Sequence, residues 1–356
     1  MDQLDISLSI ANEYLGSSVV RINPNAREEF KEKEKDCHFF GIKNSADISD
    51  VLIDRLRHHP SFLWLSIDKM ADRGSSIDSD IINPLTYRFM TGSSSGGCVN
   101  IVKGINELAI GSDGGGSVIA PALSTNLFSF MGKGCGLVID KTSVSTDRLS
   151  YQPAVGIIAA DFDIMKTASE IMCQMEFNHE GRPIRVMIPA AESMMLPGGK
   201  DAYRVIKSLP NSFLEEYTLR EHSFKSPFDR PTTVTEVMGI FQRDETDLIL
   251  SYEGPIDVFG YDSTPPKYFE GPAVEEVTGT PGKAMAKVAN MCGCSAITVP
   301  GSELAAGFVI TCGGGSQKAA MGFYLADKLR RLVPRPEGFL NNFSKQRRPV
   351  RQSSYK

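Results

Sequence analysis

The chain lacks several things that would assign it to other classes of protein. No apolar run approaches the roughly 18 residues that a membrane-crossing helix needs. The opening stretch MDQLDISLSIANE carries acidic residues and no basic cluster, so it does not read as a secretory signal. Neither sign of charge dominates: 38 Lys and Arg stand against 43 Asp and Glu, a net charge of −5, so no overall field draws nucleic acid or an anionic surface. Seven cysteines among 356 residues are few, odd in number and scattered, as expected of free thiols in a reducing, cytoplasmic setting. Cys292 and Cys294 are too close for the usual zinc spacing, and no histidine stands near them. The five histidines (His38, His58, His59, His179, His222) form no catalytic pattern.

What is present is a core. Apolar residues make up 41% of the chain and charged residues 23%, the proportions of a globular protein. Short apolar runs bounded by charge, such as FLWLSI (62–67), IRVMIPA (184–190), DLILSY (247–252), SAITVP and GFVITC, read as buried strands. They alternate with amphipathic stretches, among them one capped by Asp161 with Ile164, Ala168, Ile171, Met172 and Met175 on one face. GLVID (136–140) reads as a further strand, and Thr280-Pro281 as the start of a helix running to about Cys292. The alternation predicts an α/β layered fold with a mostly parallel or mixed sheet. Residues 1–60 read as a helical lead-in, 61–333 as the main domain, and 334–356 as a basic, Pro-rich and flexible tail.

Two glycine-serine clusters, TGSSSGG (91–97) and GSDGGGS (111–117), flank a patterned apolar segment, so they are not linkers. A phosphate-binding loop would need Lys-Ser or Lys-Thr after its last glycine, and neither cluster has it. Gly92 to Gly96 formally matches a nucleophile elbow with Ser94 as nucleophile, but the preceding NPLTYRFMT reads as loop rather than strand. Glycines let several backbone amides turn toward one oxygen. Asp113-Gly114-Gly115-Gly116-Ser117 could therefore form an oxyanion hole with a nucleophilic serine attached. Such a serine needs a base to take its proton. A relay serine in the first cluster, with a neutral lysine behind it, would supply one.

TGSSSGG followed by GSDGGGSVIAPA resembles the amidase signature family, whose pattern reads GGSSGG and then GTDxGGSIRxPA. QPAVGIIAADFDIMKTASEIM and NMCGCSAITVPGSELAAGFVITCGGGSQKAAMGFYLADKL are similar to later segments of that family, so the likeness spans about residues 60 to 333. It implies the amidase signature fold, a single α/β/α layered domain around a mixed sheet, and hydrolysis of a carboxamide, or transfer of its acyl group, through a seryl acyl-enzyme. Ser117 would be the nucleophile and Ser94 the relay, reached by a cis peptide from Ser93. Lys69 would be the base, Gly114, Gly115, Gly116 and Ser117 the oxyanion hole, and Gly92 and Ser93 would line the substrate. No metal or organic cofactor is implied.

Three features depart from the family. Ser66-Ile67-Asp68-Lys69 places an acid before the lysine, so Lys69 reaches the base position only through a one-residue bulge. Only 25 residues separate Lys69 from Ser94, fewer than usual. Ile119 replaces the usual arginine. The expected substrate is a small-molecule or carrier-bound amide, with no membrane and no direct nucleic-acid contact; a homodimer or a partner subunit stays open. Two other readings remain: an inactive amidase-like subunit that binds a partner or ligand, and a Ser-His-Asp hydrolase using Ser94.

Overall fold

The computed structural model describes residues 2–261, 270–336 and Phe339. Its strands are β1 (Val19–Ile22), β2 (His38–Lys43), β3 (Phe62–Asp68), β4 (Ile77–Ile82), β5 (Phe89–Thr91), β6 (Leu108–Asp113), β7 (Phe128–Met131), β8 (Ser143–Val144), β9 (Ser150–Tyr151), β10 (Ala154–Ala159), β11 (Ile184–Pro189), β12 (Tyr217–His222), β13 (Leu248–Glu253), β14 (Ser295–Pro300) and β15 (Gly307–Cys312). Eleven of them form one mixed sheet in the order β1-β3-β2-β6-β10-β7-β14-β15-β13-β11-β12. The pairs β2–β3, β2–β6, β11–β12 and β11–β13 are parallel and the other pairs antiparallel. Central strands such as β10 (AVGIIA), β14 (SAITVP) and β15 (GFVITC) are buried along their whole length. Unbroken apolar runs of this kind belong to a sheet covered on both faces.

The period of two in each strand divides the side chains between those faces. Leu108 and Ile110 of β6 enter the main core together with Phe40 and Ile42 of β2. That core also holds the helices Phe162–Cys173 and Ser316–Leu332, joined by a cluster in which Phe323 stacks on Phe177 at 4.5 Å and meets Phe130 at 5.0 Å. Burying each such ring contributes about 1.5–3 kcal/mol. Ala109 points the other way, into a second cluster with Cys98, Val99, Val102 and Val118. There the helix Ser95–Val102 packs close: a Cβ on Gly97 would stand 2.8 Å from that of Ala109. Gly41 and Lys43 of β2 also face this second side, and it is the side that carries both serine loops.

Several expectations need correction. Residues 1–60 are not simply helical; they supply β1 and β2 to the central sheet. GLVID contributes only an isolated bridge from Val138 to Ala154. The helix expected from Thr280 to Cys292 is reduced to one 3₁₀ turn, Met285–Lys287. The buried carboxylate of Glu253 causes this, because it accepts the amides of Ala284, Met285 and Ala286 and holds the segment out of helical register. The Asp161 cap is formed as expected, accepting from the amides of Asp163 and Ile164. Most of the tail from 334 onward lies outside the described residues.

Candidate active site

The second glycine cluster follows β6, and its shape is set by Asp113. This fully buried carboxylate accepts the amide of Gly116 at 2.9 Å and that of Val118 at 2.6 Å. Burial raises its pKa, and the amide bonds oppose that rise. The loop is pressed on from outside by other segments. A Cβ on Gly114 would lie 2.3 Å from the Tyr151 ring, and one on Gly116 2.7 Å from the Ala286 carbonyl oxygen. Gly116 also has φ +103°, so glycine is required there on two counts. Asn290 donates to the Asp113 carbonyl at 2.9 Å. Ser117 is half-buried, and its hydroxyl has no hydrogen-bond partner among the described residues.

Four amides were expected in the oxyanion hole, and one of them is spent. Gly116 N–H donates to Asp113, whereas those of Gly114, Gly115 and Ser117 have no acceptor among the described residues.

The first cluster turns at Gly92 (φ +71°), where a Cβ would strike the Pro121 ring at 2.6 Å. It continues into the helix Ser95–Val102. The two loops are clasped by a bond from the Ser94 amide to the Ser117 carbonyl, 3.2 Å long. Ser94 Oγ itself is buried, lies against Gly111 and has no partner among the described residues, so none of their histidines is bonded to it. Among the described residues the only cis peptide is Gly254–Pro255, so the expected cis bond between Ser93 and Ser94 is not formed.

Lys69 is not at the serines. Its Nζ lies 3.0 Å from Asp78 and 3.0 Å from Asp80. Burial works against its charge, but these carboxylates outweigh burial and its pKa is raised. Such an amine stays protonated. Its place is structural: Asp78 also accepts from Ser95 Oγ at 2.6 Å, and the Gly96 amide donates to the Lys69 carbonyl at 3.0 Å.

The lysine that does reach the serines is Lys43, which sequence reasoning passed over. It ends β2, the parallel neighbour of β6, so its amine arrives beside the second glycine loop. Nζ contacts Ser93 Oγ at 2.6 Å, Ser112 Oγ at 2.9 Å and the Ser112 carbonyl at 3.1 Å. The side chain is fully buried, and desolvation pushes its pKa down to about 8 against the pull of Asp113 and Asp47. The available signal was the run HFFGIK, an apolar strand that also ends in lysine.

A lysine that loses its proton readily, a hydroxyl on it, a second unpartnered serine hydroxyl and three unused amides are the parts that acyl transfer needs. Among the described residues, no helix is long and apolar enough to cross a membrane, and no group of three or more potential metal ligands is found. No family model matches the sequence, and no curated relative matches it. Solved structures do match. A 6-aminohexanoate cyclic dimer hydrolase bound to its substrate aligns with TM-score 0.66 at 14% identity, covering 95% of this chain and 96% of that one. A peptide amidase from Stenotrophomonas maltophilia aligns with TM-score 0.62 at 12% identity, covering 95% of each chain. An allophanate hydrolase from Kluyveromyces lactis gives 0.62 at 12% identity, over 98% of this chain and 72% of that one. The fold of this chain, built on an eleven-stranded mixed sheet, is thus that of the amidase signature enzymes.

Proposed function

We propose that the protein is an amidohydrolase that cleaves a carboxamide, or passes its acyl group to another amine, through an acyl-enzyme on Ser117. The observation that carries this reading is the buried amine of Lys43 on Ser93, beside a glycine loop braced by Asp113. Neutral Lys43 takes a proton through Ser93 as Ser117 Oγ attacks the amide carbon. The amides of Gly114, Gly115 and Ser117 hold the oxyanion. As the C–N bond breaks, the same path returns the proton to the leaving amine, and water or a second amine then releases the acyl group. The relay in this proposal is Ser93, the hydroxyl in contact with the amine, rather than Ser94. The Ser-His-Asp alternative loses support because Ser94 Oγ has no partner. The inactive-subunit alternative drew on the Asp68-Lys69 order, and the amine of Lys43 on Ser93 answers that point.

A fluorophosphonate should add one label within residues 111–122, and Ser117→Ala should abolish it. Ser93→Ala should lower the labelling rate by about 10²–10⁴-fold, in the range of general acid–base catalysis, and Ser94→Ala by much less. Greater damage from Ser94→Ala would return the relay to Ser94. An unlabelled protein, in an assay where a known serine hydrolase is labelled, would overturn the acyl-enzyme.

A further inference from the structure

Arg230 has more donors than the fold uses. It opens the helix Arg230–Gln242, behind the Asp229 cap, and its side chain is 19% exposed. Nη1 meets Asp147, on the β8–β9 hairpin, at 3.0 Å. Nε is buried and has no hydrogen-bond partner among the described residues. A buried donor left unpaired costs about 1–3 kcal/mol, and more when it is charged.

The position of this guanidinium gives the unused donor a meaning. A Cβ on Gly115 would stand 3.7 Å from Nη1, so the guanidinium stands over the nucleophile loop two residues before Ser117. Two residues of extended chain span at most roughly 7 Å. A further cation stands near the same loop: Lys133 donates to the Gln152 carbonyl and to Asn290 Oδ1, and Asn290 in turn donates to the Asp113 carbonyl. The carboxylate oxygens of Asp113 are already filled by loop amides.

We infer that the amide substrate carries a carboxylate, received by the free Nε edge of Arg230 while its amide carbon lies at Ser117. Asp147 holds Nη1 and leaves the other edge of the planar fork for a bidentate contact, which lysine cannot reproduce. This extends the reading of Ser117 as the reacting hydroxyl by naming its substrate class: the monoamides of short dicarboxylic acids.

Succinate and glutarate are direct probes, because their binding needs no chemistry. Calorimetry should detect both on the parent protein, and Arg230→Gln should weaken them on the order of tenfold or more, as loss of a bond to a charged group implies. Arg230→Lys, which keeps the charge, should weaken them too. Succinamate and glutaramate should exceed butyramide and valeramide in kcat/KM by about 10² or more, through KM, and Arg230→Gln should erase that preference. If neither dicarboxylate binds, or if both bind equally to the Arg230 variants, the inference is wrong even if amides are hydrolysed. If both bind through Arg230 but Ser117 takes no label, the anion site stands and the hydrolase reading falls.

Discussion

Replacing Lys43 with methionine is expected to remove about 10²–10⁴-fold of the acylation rate while leaving the protein at least as stable at pH 7 as its parent. The two effects have one cause. Burial holds the Lys43 pKa near 8 rather than the usual 10.5, so the folded state pays to keep that amine charged at neutral pH. For a lysine whose folded pKa is depressed, the penalty is present in full below about pH 8. It is relieved as pH rises toward 10.5, where the unfolded chain also gives up its proton. The step from 10.5 down to about 8 corresponds to about 3 kcal/mol. Methionine removes that penalty but leaves the Ser112 carbonyl without its donor, a loss of about 1–3 kcal/mol. The balance lies between neutrality and modest stabilisation. The same pKa sets the pH profile of the parent, whose acylation rate should rise along a limb centred near pH 8. Thermal melts and labelling rates of parent and variant across pH 6–10 check both points. A variant that melts well below its parent, or a parent whose rate is flat across that range, would contradict this account of Lys43.

Asp68 should produce the second large effect, on stability. Its carboxyl is fully buried and raised to about 7, mainly by desolvation, although Ser66 Oγ and Asn100 Nδ2 donate to Oδ1. Its Oδ2 has no partner and crowds Gly41, where a Cβ would lie 2.0 Å away. An acid whose folded pKa is raised binds its proton more tightly in the native state. Stability is therefore highest below about pH 4, falls between about 4 and 7, and is level above that. Asp68→Asn lacks this slope. Between pH 4.5 and 8 the variant should gain about 3 kcal/mol relative to its parent, at 1.36 kcal/mol per unit. Urea unfolding of both proteins at the two pH values measures this, with the parent as control for every other titrating group. An unchanged difference would mean that the carboxylate is solvated.

The serine loops, most strands and the layered α/β class could be read from local pattern, because period and glycine content are local properties. The base could not. Lys43 and Lys69 both end or follow apolar strands, and only the strand order separates them. β2 lies against β6, whereas β3 lies one place farther out, with its following lysine among Asp78 and Asp80. The fate of residues 280–292 was hidden for a similar reason. Thr-Pro is a sound helix start, but Glu253, about thirty residues earlier in the chain, takes the amides that a helix would have used. Likewise Asp113 takes the Gly116 amide, which removes one of the four donors that composition suggested.

The strand order has a consequence for synthesis. Residues up to 159 form the block β1-β3-β2-β6-β10-β7, and β13-β11-β12 form a second block, but the two touch in the sheet only through the β14–β15 hairpin. Until residues 295–312 emerge from the ribosome, β7 and β13 are both open edges with apolar faces, the kind of surface on which nascent chains aggregate. The hairpin closes both edges at once, and the preceding segment brings Asn290 to Asp113 and the Ala286 carbonyl to Gly116. Assembly of the sheet and completion of the second serine loop are thus a single late event. A ribosome-bound chain would hold both serine loops long before they take their final shape.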